Sequence, residues 1–401
     1  MAKSRLQTLV MLGIAGAGLV IAAIVGLFAY MSLSARPLHP DPQNVPSVTR
    51  SSPSPQWADA VKEAQQVARA GLLEQNLPGL SVAVGVGDEL VWAEGFGHAD
   101  IEKQSPVTPD TRFRIGEVSK ALTSAGVGLL LEKNQLKLDD EIQAYVPEYP
   151  NKQWPVTLRQ LMAHTGGLRD DPGDEASLEP CERTNDGLKL FAGDSLRFEP
   201  GTNYQASSFS WILVSAAVEA AVPGQTFFSF MRAQVFEPLG MTATRAYAST
   251  DEMPDLATFY FPQFAGDPRY GPQDAREGDH TCYAGASAFL STASDLVRFG
   301  IAINNGKLLQ PATVHLLQTS LRLPSGEETG YGLGWKVETL TLAGQPARMA
   351  GHGTKGDFIG GSTYLMTFPE RGIVVAATSN TSFADMKDVA VKVAEVFAAK
   401  R

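Results

Sequence analysis

The sequence predicts an α/β protein of the α+β type, in which an antiparallel sheet built from both ends of the chain is flanked by helices. Two strand-like regions indicate this fold class. The first is LSVAVGVGDELVWAEGFGHAD, early in the globular part, and the second is STYLMTFPERGIVVAATSN, near the C-terminus. Helical and loop-rich sequence fills the middle, from Ile115 to about Leu317, so we expect a mostly helical lobe inserted between the strands.

An uncharged, apolar segment opens the chain, and Lys3 and Arg5 precede it. A helix needs about 20 apolar residues to cross a bilayer, whereas a cleaved signal peptide usually has an apolar region of about 7–15 residues. We therefore predict a membrane anchor over 1–34, with a transmembrane helix at about 9–31. A cleaved signal peptide, with Ser32 and Ser34 near the cleavage point, is the alternative. The basic residues favour a cytoplasmic N-terminus and an exported body.

The next stretch, ARPLHPDPQNVPSVTRSSPSPQW at 35–57, is rich in Pro and Ser and has almost no apolar periodicity. This composition is typical of an extended linker. One domain is predicted over 58–401. It opens with the amphipathic helix WADAVKEAQQVARAGLLEQN, continues with a hairpin that turns at Gly87-Asp88, and closes with a helix over Asp385 to Ala399.

Charge and composition limit the partners. The formal net charge is −10 and the body of the chain has no basic run, which excludes nucleic acid as an expected partner. No cofactor and no metal site is predicted, because His280 and Cys282 in GDHTC have no matching pair of metal ligands nearby.

Cys181 and Cys282 are the two cysteines of the chain. An exported domain meets an oxidising environment, so the two could pair and close a loop of about a hundred residues. We predict this disulfide. The alternative is a pair of buried thiols that never meet, since sequence alone does not show that their Cβ atoms are close.

Several segments follow one another in an informative order. They are TRFRIGEVSKALTSAGVGLLLEKNQLKLDDEIQAYVPEYP, VTLRQLMAHTGGL, FEPGTNYQASSFSWILVSAAVE, AFLSTASDLVRFGIAINNGKLL, YGLGWKV and GHGTKGDFIGGSTYLMTFPE. In order and spacing they resemble the serine β-lactamase family, in particular its class C and penicillin-binding, D-alanyl-D-alanine peptidase-like branch. The resemblance covers about 58–398 and implies the β-lactamase/transpeptidase-like fold.

The resembled family uses a serine at the start of a helix, followed one turn later by a lysine, as S-x-x-K. The spacing puts both side chains on one helix face, so the lysine can accept the hydroxyl proton. A tyrosine in a second motif assists proton transfer. A third motif on an edge strand helps to bind the substrate carboxylate, and backbone amides stabilise the oxyanion.

In this chain Glu117 stands where the family has its serine, while Lys120 is kept. A shifted register does not rescue the motif, because Ser119 is followed three residues later by Leu122, and no lysine in the chain has a serine three residues before it. Glu117 and Lys120 share one helix face, so the simplest arrangement is an ion pair.

The second motif is also altered. Counting from PGT, the family's Tyr-x-Asn falls on Ala206, Ser207 and Ser208. Tyr204 lies two positions early and is followed by Gln205 and Ala206, so no register restores the triplet. The letters YPN occur at 149–151, but they stand about thirty residues after Lys120 and are interpreted as a coincidence.

The third motif is kept in part, with His352 in place. His352 could bind a carboxylate, and a hydrogen-bonded histidine at the end of a strand is an equally good interpretation. Thr354 occupies the expected glycine position, where a side chain would crowd the close backbone approach that glycine permits. About two extra residues precede Gly360-Gly361.

These departures point to a non-catalytic binding or regulatory protein, anchored in the cytoplasmic membrane with its domain on the exported, periplasmic or extracellular side. The degenerate site comprises Glu117, Lys120, Ala206, Ser208, His352 and Thr354, of which Lys120 and His352 are the predicted binding residues. The expected partners are a cell-wall peptide, a small acyl or amide ligand, or another envelope protein. The alternative is a hydrolase with rewired chemistry around Glu117, Lys120 and His352.

Overall fold

A computed structural model describes residues 2–50, 54–171, 180–247, 253–264, 266–276, 278–354 and 360–400. The helices among them are α1 Ala2–Ser34, α2 Ala58–Glu74, α3 Ser119–Glu132, α4 Leu158–Met162, α5 Ser208–Ala221, α6 Phe227–Met231, α7 Ala293–Asn304, α8 Pro311–Leu317 and α9 Met386–Ala399. The strands are β1 Ser47–Thr49, β2 Gly79–Val86, β3 Glu89–Asp100, β4 Ser105–Pro106, β5 Phe113–Arg114, β6 Arg245–Ala246, β7 Tyr260–Pro262, β8 Pro272–Asp274, β9 Phe289–Ser291, β10 Lys336–Leu342, β11 Gln345–Gly353, β12 Ser362–Phe368 and β13 Ile373–Ser379.

Strands from both ends of the chain lie side by side in one antiparallel sheet, whose order is β1-β3-β2-β13-β12-β11-β10. The junction between the two ends is the β2–β13 pair, in which Val82 lies opposite Ala377. Both strands are rich in small and β-branched residues and are buried along almost their whole length, as central strands must be. The prediction of a single sheet from both termini is confirmed.

The turn between β2 and β3 falls where the sequence predicts it. Gly87 has a φ of 60°, in the left-handed region that favours glycine, and it leads the chain back into β3. On one face of the sheet α2 and α9 pack against each other and bury an apolar layer that includes Leu72, Val389 and Phe397. The predicted flanking helices are therefore confirmed.

The inserted region covers the other face. Helix α7 packs against β2 and β13, while α3 and α5 form the core of a lobe built mostly of helices and loops. The inserted region also contains a three-stranded sheet, β5–β9–β6, and a two-stranded sheet, β7–β8. The position of α3 sets the geometry of the candidate site, because it enters the lobe directly from β5.

The predicted linker differs from the structure over 38–49. His39 Nε2 donates a hydrogen bond of 2.9 Å to the carbonyl of Leu77, and the His39 ring stacks on that of His98 with centroids 5.6 Å apart. Val45 is buried, and β1 pairs with β3 and forms one edge of the sheet. The prediction of an extended linker is wrong for this stretch, because polar contacts and edge-strand pairing hold it without any apolar periodicity.

Helix α1 contains a segment, Gly13–Leu33, that is long and apolar enough to cross a membrane. It overlaps the predicted span of about 9–31. Near its end Met31 is buried against the rest of the protein, whereas most of the preceding apolar side chains are exposed.

Cys181 and Cys282 form a disulfide, with Cα atoms 4.8 Å apart and a sequence separation of 101 residues, so the predicted link is confirmed. Cys282 lies in a short 3-10 segment, Thr281–Ala286, that packs against α3 and α5. Closing so long a loop in the unfolded chain stabilises the folded state by about 4–5 kcal/mol in the chain-entropy account. The bridge therefore holds together the lobe that carries the candidate site.

Candidate active site

The head of α3 has the local structure that the sequence predicts. Strand β5 ends at Arg114, a tight turn follows over Gly116–Val118, and α3 begins at Ser119. Gly116 has a φ of 49°, which turns the chain from the strand into the helix. Glu117 lies in this turn and is 5% exposed, and Lys120, in the first turn of α3, is 2% exposed.

Ser119 is turned away from these two residues. Its side chain is completely buried, and its hydroxyl accepts a hydrogen bond of 3.4 Å from the backbone N–H of Phe289 in β9. The nearest serine to the nucleophile position is therefore a packing residue between α3 and β9. This agrees with the sequence argument that a shifted register gives no nucleophile.

The second-motif segment forms the N-terminus of α5. Ser207 is the helix cap, with a hydroxyl that accepts from the N–H of Ser210 at 3.3 Å and donates to the carbonyl of Arg169 at 2.6 Å. The N–H of Ser208 donates to Asp170 at 3.3 Å. Ala206, at the family's tyrosine position, offers only a methyl group. This segment is held in place by backbone and capping contacts and carries no group there for proton transfer.

Two tyrosines and a histidine form a cluster next to the head of α3. The ring of His164 lies 4.8 Å from that of Tyr331 and 6.0 Å from that of Tyr204, measured between centroids. His164 Nδ1 accepts a hydrogen bond of 3.1 Å from the N–H of Ser207. His164 has a φ of 59°, so the loop adopts a left-handed conformation to present the ring.

Tyr331 connects this cluster to the third motif. Its hydroxyl lies 2.9 Å from Nε2 of His352, and Nδ1 of His352 lies 3.1 Å from the carbonyl of Gly353. A carbonyl only accepts, so Nδ1 carries the proton, Nε2 accepts, and the tyrosine hydroxyl is the donor. Both ring nitrogens are thus engaged within the protein, which favours the interpretation of His352 as a hydrogen-bonded strand histidine.

Burial and nearby charges shift the pKa values of both partners in this hydrogen bond. Burial lowers the pKa of His352 well below its usual value, and the positive charges of Lys120 and Lys336 lower it further. Burial also raises the pKa of Tyr331 well above its usual value, with the neighbouring Tyr204 and the charge of Glu117 adding to the increase. At neutral pH the Tyr331–His352 pair is therefore uncharged.

The charge of Lys120 adds to the lowered pKa of His352, and the charge of Glu117 adds to the raised pKa of Tyr331, so these four side chains lie in one region of the protein. The ion pair between Glu117 and Lys120 stays a prediction. Sequence reasoning passed over Tyr331, although it lies in YGLGWKV, a segment already recognised as a motif. It also gave no role to Tyr204, whose pKa is raised by burial.

Thr354 follows the end of β11 and extends its pairing. Its N–H donates to the carbonyl of Thr363 at 3.0 Å, and its hydroxyl accepts from the N–H of Thr363 at 3.1 Å. The side chain is therefore used in the contact with β12. Residues 355–359, which follow it in the chain, lie outside the described residues, so the predicted crowding of the oxyanion side stays a prediction.

A polar cavity of about 410 Å³ lies beside β5, and we call it the rim cavity. Charged groups of both signs line it, including Asp100, Lys103, Asp274 and Arg114. The Arg114 guanidinium lies 4.1 Å from the ring centroid of Phe259, a cation–π arrangement. Arg114, at the end of β5, is the lining residue that stands nearest in the chain to the turn carrying Glu117. Among the described residues, no cluster of three or more His, Cys, Asp or Glu side chains could hold a metal ion.

The chain is similar to known proteins over most of its length. A family model described as beta-lactamase matches residues 57–399. The bovine (Bos taurus) serine beta-lactamase-like protein LACTB, mitochondrial, is 25% identical over 85% of this chain and 80% of its own length. Penicillin-binding protein 4* of Bacillus subtilis is 26% identical over 75% of this chain and 67% of its own length.

Solved structures share the fold. The octameric penicillin-binding protein homologue of Pyrococcus abyssi superimposes with a TM-score of 0.69 at 22% identity, over 82% of this chain and 76% of that one. The D-amino acid amidase of Ochrobactrum anthropi, solved with L-phenylalanine amide, gives a TM-score of 0.70 at 22% identity, over 85% and 97% of the two chains. The predicted β-lactamase/transpeptidase-like fold is confirmed.

Proposed function

The chain belongs to the β-lactamase family, and within that family we propose that it is a non-catalytic member that binds a ligand or partner at a membrane. The observation that carries this proposal is the state of the nucleophile position. Glu117 replaces the serine there and is buried, while the hydroxyl of Ser119 is engaged with β9. The site keeps the helix geometry of the family without its nucleophile.

A glutamate does not simply replace a serine in acyl transfer. Attack by a carboxylate would give an anhydride, which a protein forms with difficulty and water cleaves readily. Loss of the serine nucleophile alone costs about 10⁶-fold in a well-studied unrelated protease. Here Ala206 also removes the proton-transfer group, and two nearby tyrosines, the half-buried Tyr204 and the buried Tyr331, have raised pKa values that keep them protonated.

Membrane attachment is proposed to come from α1, with the domain on the exported side of the cytoplasmic membrane. The basic residues Lys3 and Arg5 upstream of the apolar segment support that orientation. The disulfide between Cys181 and Cys282 supports an oxidising compartment such as the periplasm or the cell exterior.

The ligand is proposed to be a cell-wall peptide or a small acyl or amide compound, with a second envelope protein as the other expected partner. The rim cavity supports a small ligand, because it is about 410 Å³ in volume and presents both signs of charge. Of the two binding residues predicted from the sequence, Lys120 and His352, we propose Lys120 alone, because both ring nitrogens of His352 are engaged within the protein. Relatives named as a penicillin-binding protein and an amidase support this chemical class.

The second candidate is a hydrolase in which Glu117 acts as a general base on water, with Lys120 and His352 as electrostatic partners. It is favoured by the position of Glu117, which is near enough to Tyr331 for its charge to add to the raised pKa of that hydroxyl. Glu117→Gln keeps the shape of the side chain and removes the base. Hydrolysis of an activated ester or a chromogenic β-lactam by the unmodified protein, abolished by this change, would establish the hydrolase.

The experiment that tests the non-catalytic proposal is intact-protein mass spectrometry of the full chain after exposure to a penicillin-type probe and to a fluorophosphonate. We expect no covalent adduct with either probe. The matched control is a serine β-lactamase treated in parallel, which shows that the probes are reactive. An adduct mapped to any residue of the cleft would refute the proposal.

A further inference from the structure

The end of α1 lies against the hairpin formed by β7 and β8. The ring of Tyr30 packs edge-on to that of Phe264, with centroids 6.4 Å apart, and Phe264 in turn packs on Tyr270 at 6.5 Å. Met31, on the next position of α1, is only 6% exposed. The last turn of the apolar span therefore contacts the folded domain directly.

Asn76 connects the chain leaving α1 to the same hairpin. Its side-chain amide donates to the carbonyl of Arg36 at 3.1 Å and to the carbonyl of Arg269 at 3.4 Å, and its oxygen accepts from the N–H of Leu38 at 2.8 Å. Both arginine side chains are exposed, and that of Arg269 is paired with Asp267 at 2.6 Å. The backbones of two exposed arginines are thus joined through Asn76 a few residues beyond the end of the membrane span at Leu33.

These contacts restrict how far the folded domain can move relative to the membrane span. The stretch that follows is held by His39 on Leu77 and by the pairing of β1 with β3. A span that ends at Leu33 and a hairpin that contacts Tyr30 must lie at nearly the same height above the hydrocarbon core, since a helix rises only 1.5 Å per residue.

We propose that the hairpin Tyr260–Asp274 rests in the phospholipid headgroup layer of the membrane that α1 spans. Aromatic side chains of the hairpin, Phe261, Phe264 and Tyr270, lie at the level of the interface, where aromatic rings are enriched. Arg36 and Arg269 lie at the level of the lipid phosphates, which attract basic side chains close to a membrane surface. This inference rests on the membrane anchoring proposed above. It adds a fixed membrane-facing surface of the domain, formed by the hairpin and Arg36, which we call the resting face.

The resting face has a consequence for access to the site. Tyr260 and Asp274, at the two ends of the hairpin, also line the rim cavity. The rim cavity is therefore held beside the headgroup layer, so a ligand that is itself attached to the membrane can reach it without leaving the surface. A freely extended linker would not impose this position.

The test uses the full chain in lipid nanodiscs, one copy per disc, with a nitroxide label at a single added cysteine. The native cysteines are linked to each other, so the label goes to the added thiol. Gln263→Cys places the label on an exposed position of the hairpin that keeps its backbone hydrogen bond to Gly271. Ser325→Cys, in an exposed turn between α8 and β10, is the matched control.

We expect the ratio of oxygen to water-soluble nickel accessibility at position 263 to be several-fold higher than at position 325. Equal ratios at the two positions, in protein that co-elutes with the nanodisc, would overturn the resting face and leave the anchor standing. Protein that fails to co-elute with the nanodisc would refute the anchor itself and the resting face with it. Accessibility therefore tests the resting face, and co-elution tests the anchor.

Discussion

The two faces of the central sheet bury different kinds of side chain. Toward α2 and α9 the buried layer is largely apolar, with Leu72, Val389 and Phe397 among its members. Toward α3 the buried layer is also mostly apolar, but it includes titratable groups, among them His352 in β11 and Glu117 in the turn before α3. The apolar face carries no family chemistry, so substitutions at the nucleophile position leave it untouched. The apolar layer can therefore hold the fold together whatever residue stands at the nucleophile position.

The largest effect is expected on the apolar face. Phe397 is completely buried in α9 and packs near Trp57, so Phe397→Ala should lower the free energy of unfolding by about 3–5 kcal/mol through lost contacts and a cavity. The measurement is urea unfolding of the full chain in micelles. Phe397→Leu is the control and should cost about 1.5 kcal/mol or less. A loss that is equally small for both variants would contradict the assigned role of this face.

A smaller effect on the free energy of unfolding is expected from the side of the sheet that faces α3, where Glu117 and Lys120 are buried. If Glu117 and Lys120 form the predicted ion pair, a double-mutant cycle with Glu117→Gln and Lys120→Met should give a coupling energy of about 0.5–3 kcal/mol. Each single change leaves one buried charge uncompensated, and the double change removes both. Unfolding free energies of the four proteins provide the measurement. Strictly additive effects would show that the two side chains do not pair.

The free energy of unfolding should depend on pH through His352, which lies on the α3 side of the sheet. The pKa of His352 is lowered from its ordinary value of 6.5 by burial, so the unfolded chain binds a proton more readily than the folded one. Stability is then complete above about pH 6.5 and falls as the pH drops, by up to about 1.4 kcal/mol per pH unit for this one group.

His352→Gln should make that slope shallower below pH 6.5. It should not abolish the slope, because burial also lowers the pKa of His280, to about 3. His315→Gln, at an exposed histidine of α8, is the control and should leave the slope unchanged. Unfolding curves recorded between pH 7 and pH 5 provide the comparison, and parallel slopes for the wild type and His352→Gln would contradict the assignment.

Elements with local signals could be predicted from the sequence. The Gly87-Asp88 turn, the amphipathic pattern of α2, and the step from β5 into α3 each depend on residues close together in the chain. The resemblance then fixed which positions meet at the head of α3. The departures from the family motifs at Glu117 and Ala206 could also be recognised, because the residues around each position show which motif it belongs to.

Other contacts could not be predicted, because they join residues far apart without a repeating pattern. The hydrogen bond from Tyr331 to His352 joins two neighbouring motifs, and the packing of Tyr331 on His164 spans the lobe. The docking of His39 on Leu77 and His98 depends on single polar groups within a Pro-rich stretch. Neither the Tyr331 contacts nor the docking of His39 can be predicted from hydropathy or composition.

We propose that this site was inherited and then disabled at the nucleophile position. The most direct measurement is intact-protein mass after a penicillin-type probe, comparing the unmodified chain with Glu117→Ser and with the triple variant Glu117→Ser, Ala206→Tyr, Thr354→Gly. The account predicts no adduct on the unmodified chain, little on the single variant, and an adduct at position 117 in the triple variant, which regains a Ser-x-x-Lys pair and a proton-transfer tyrosine. An adduct on the unmodified chain would contradict it.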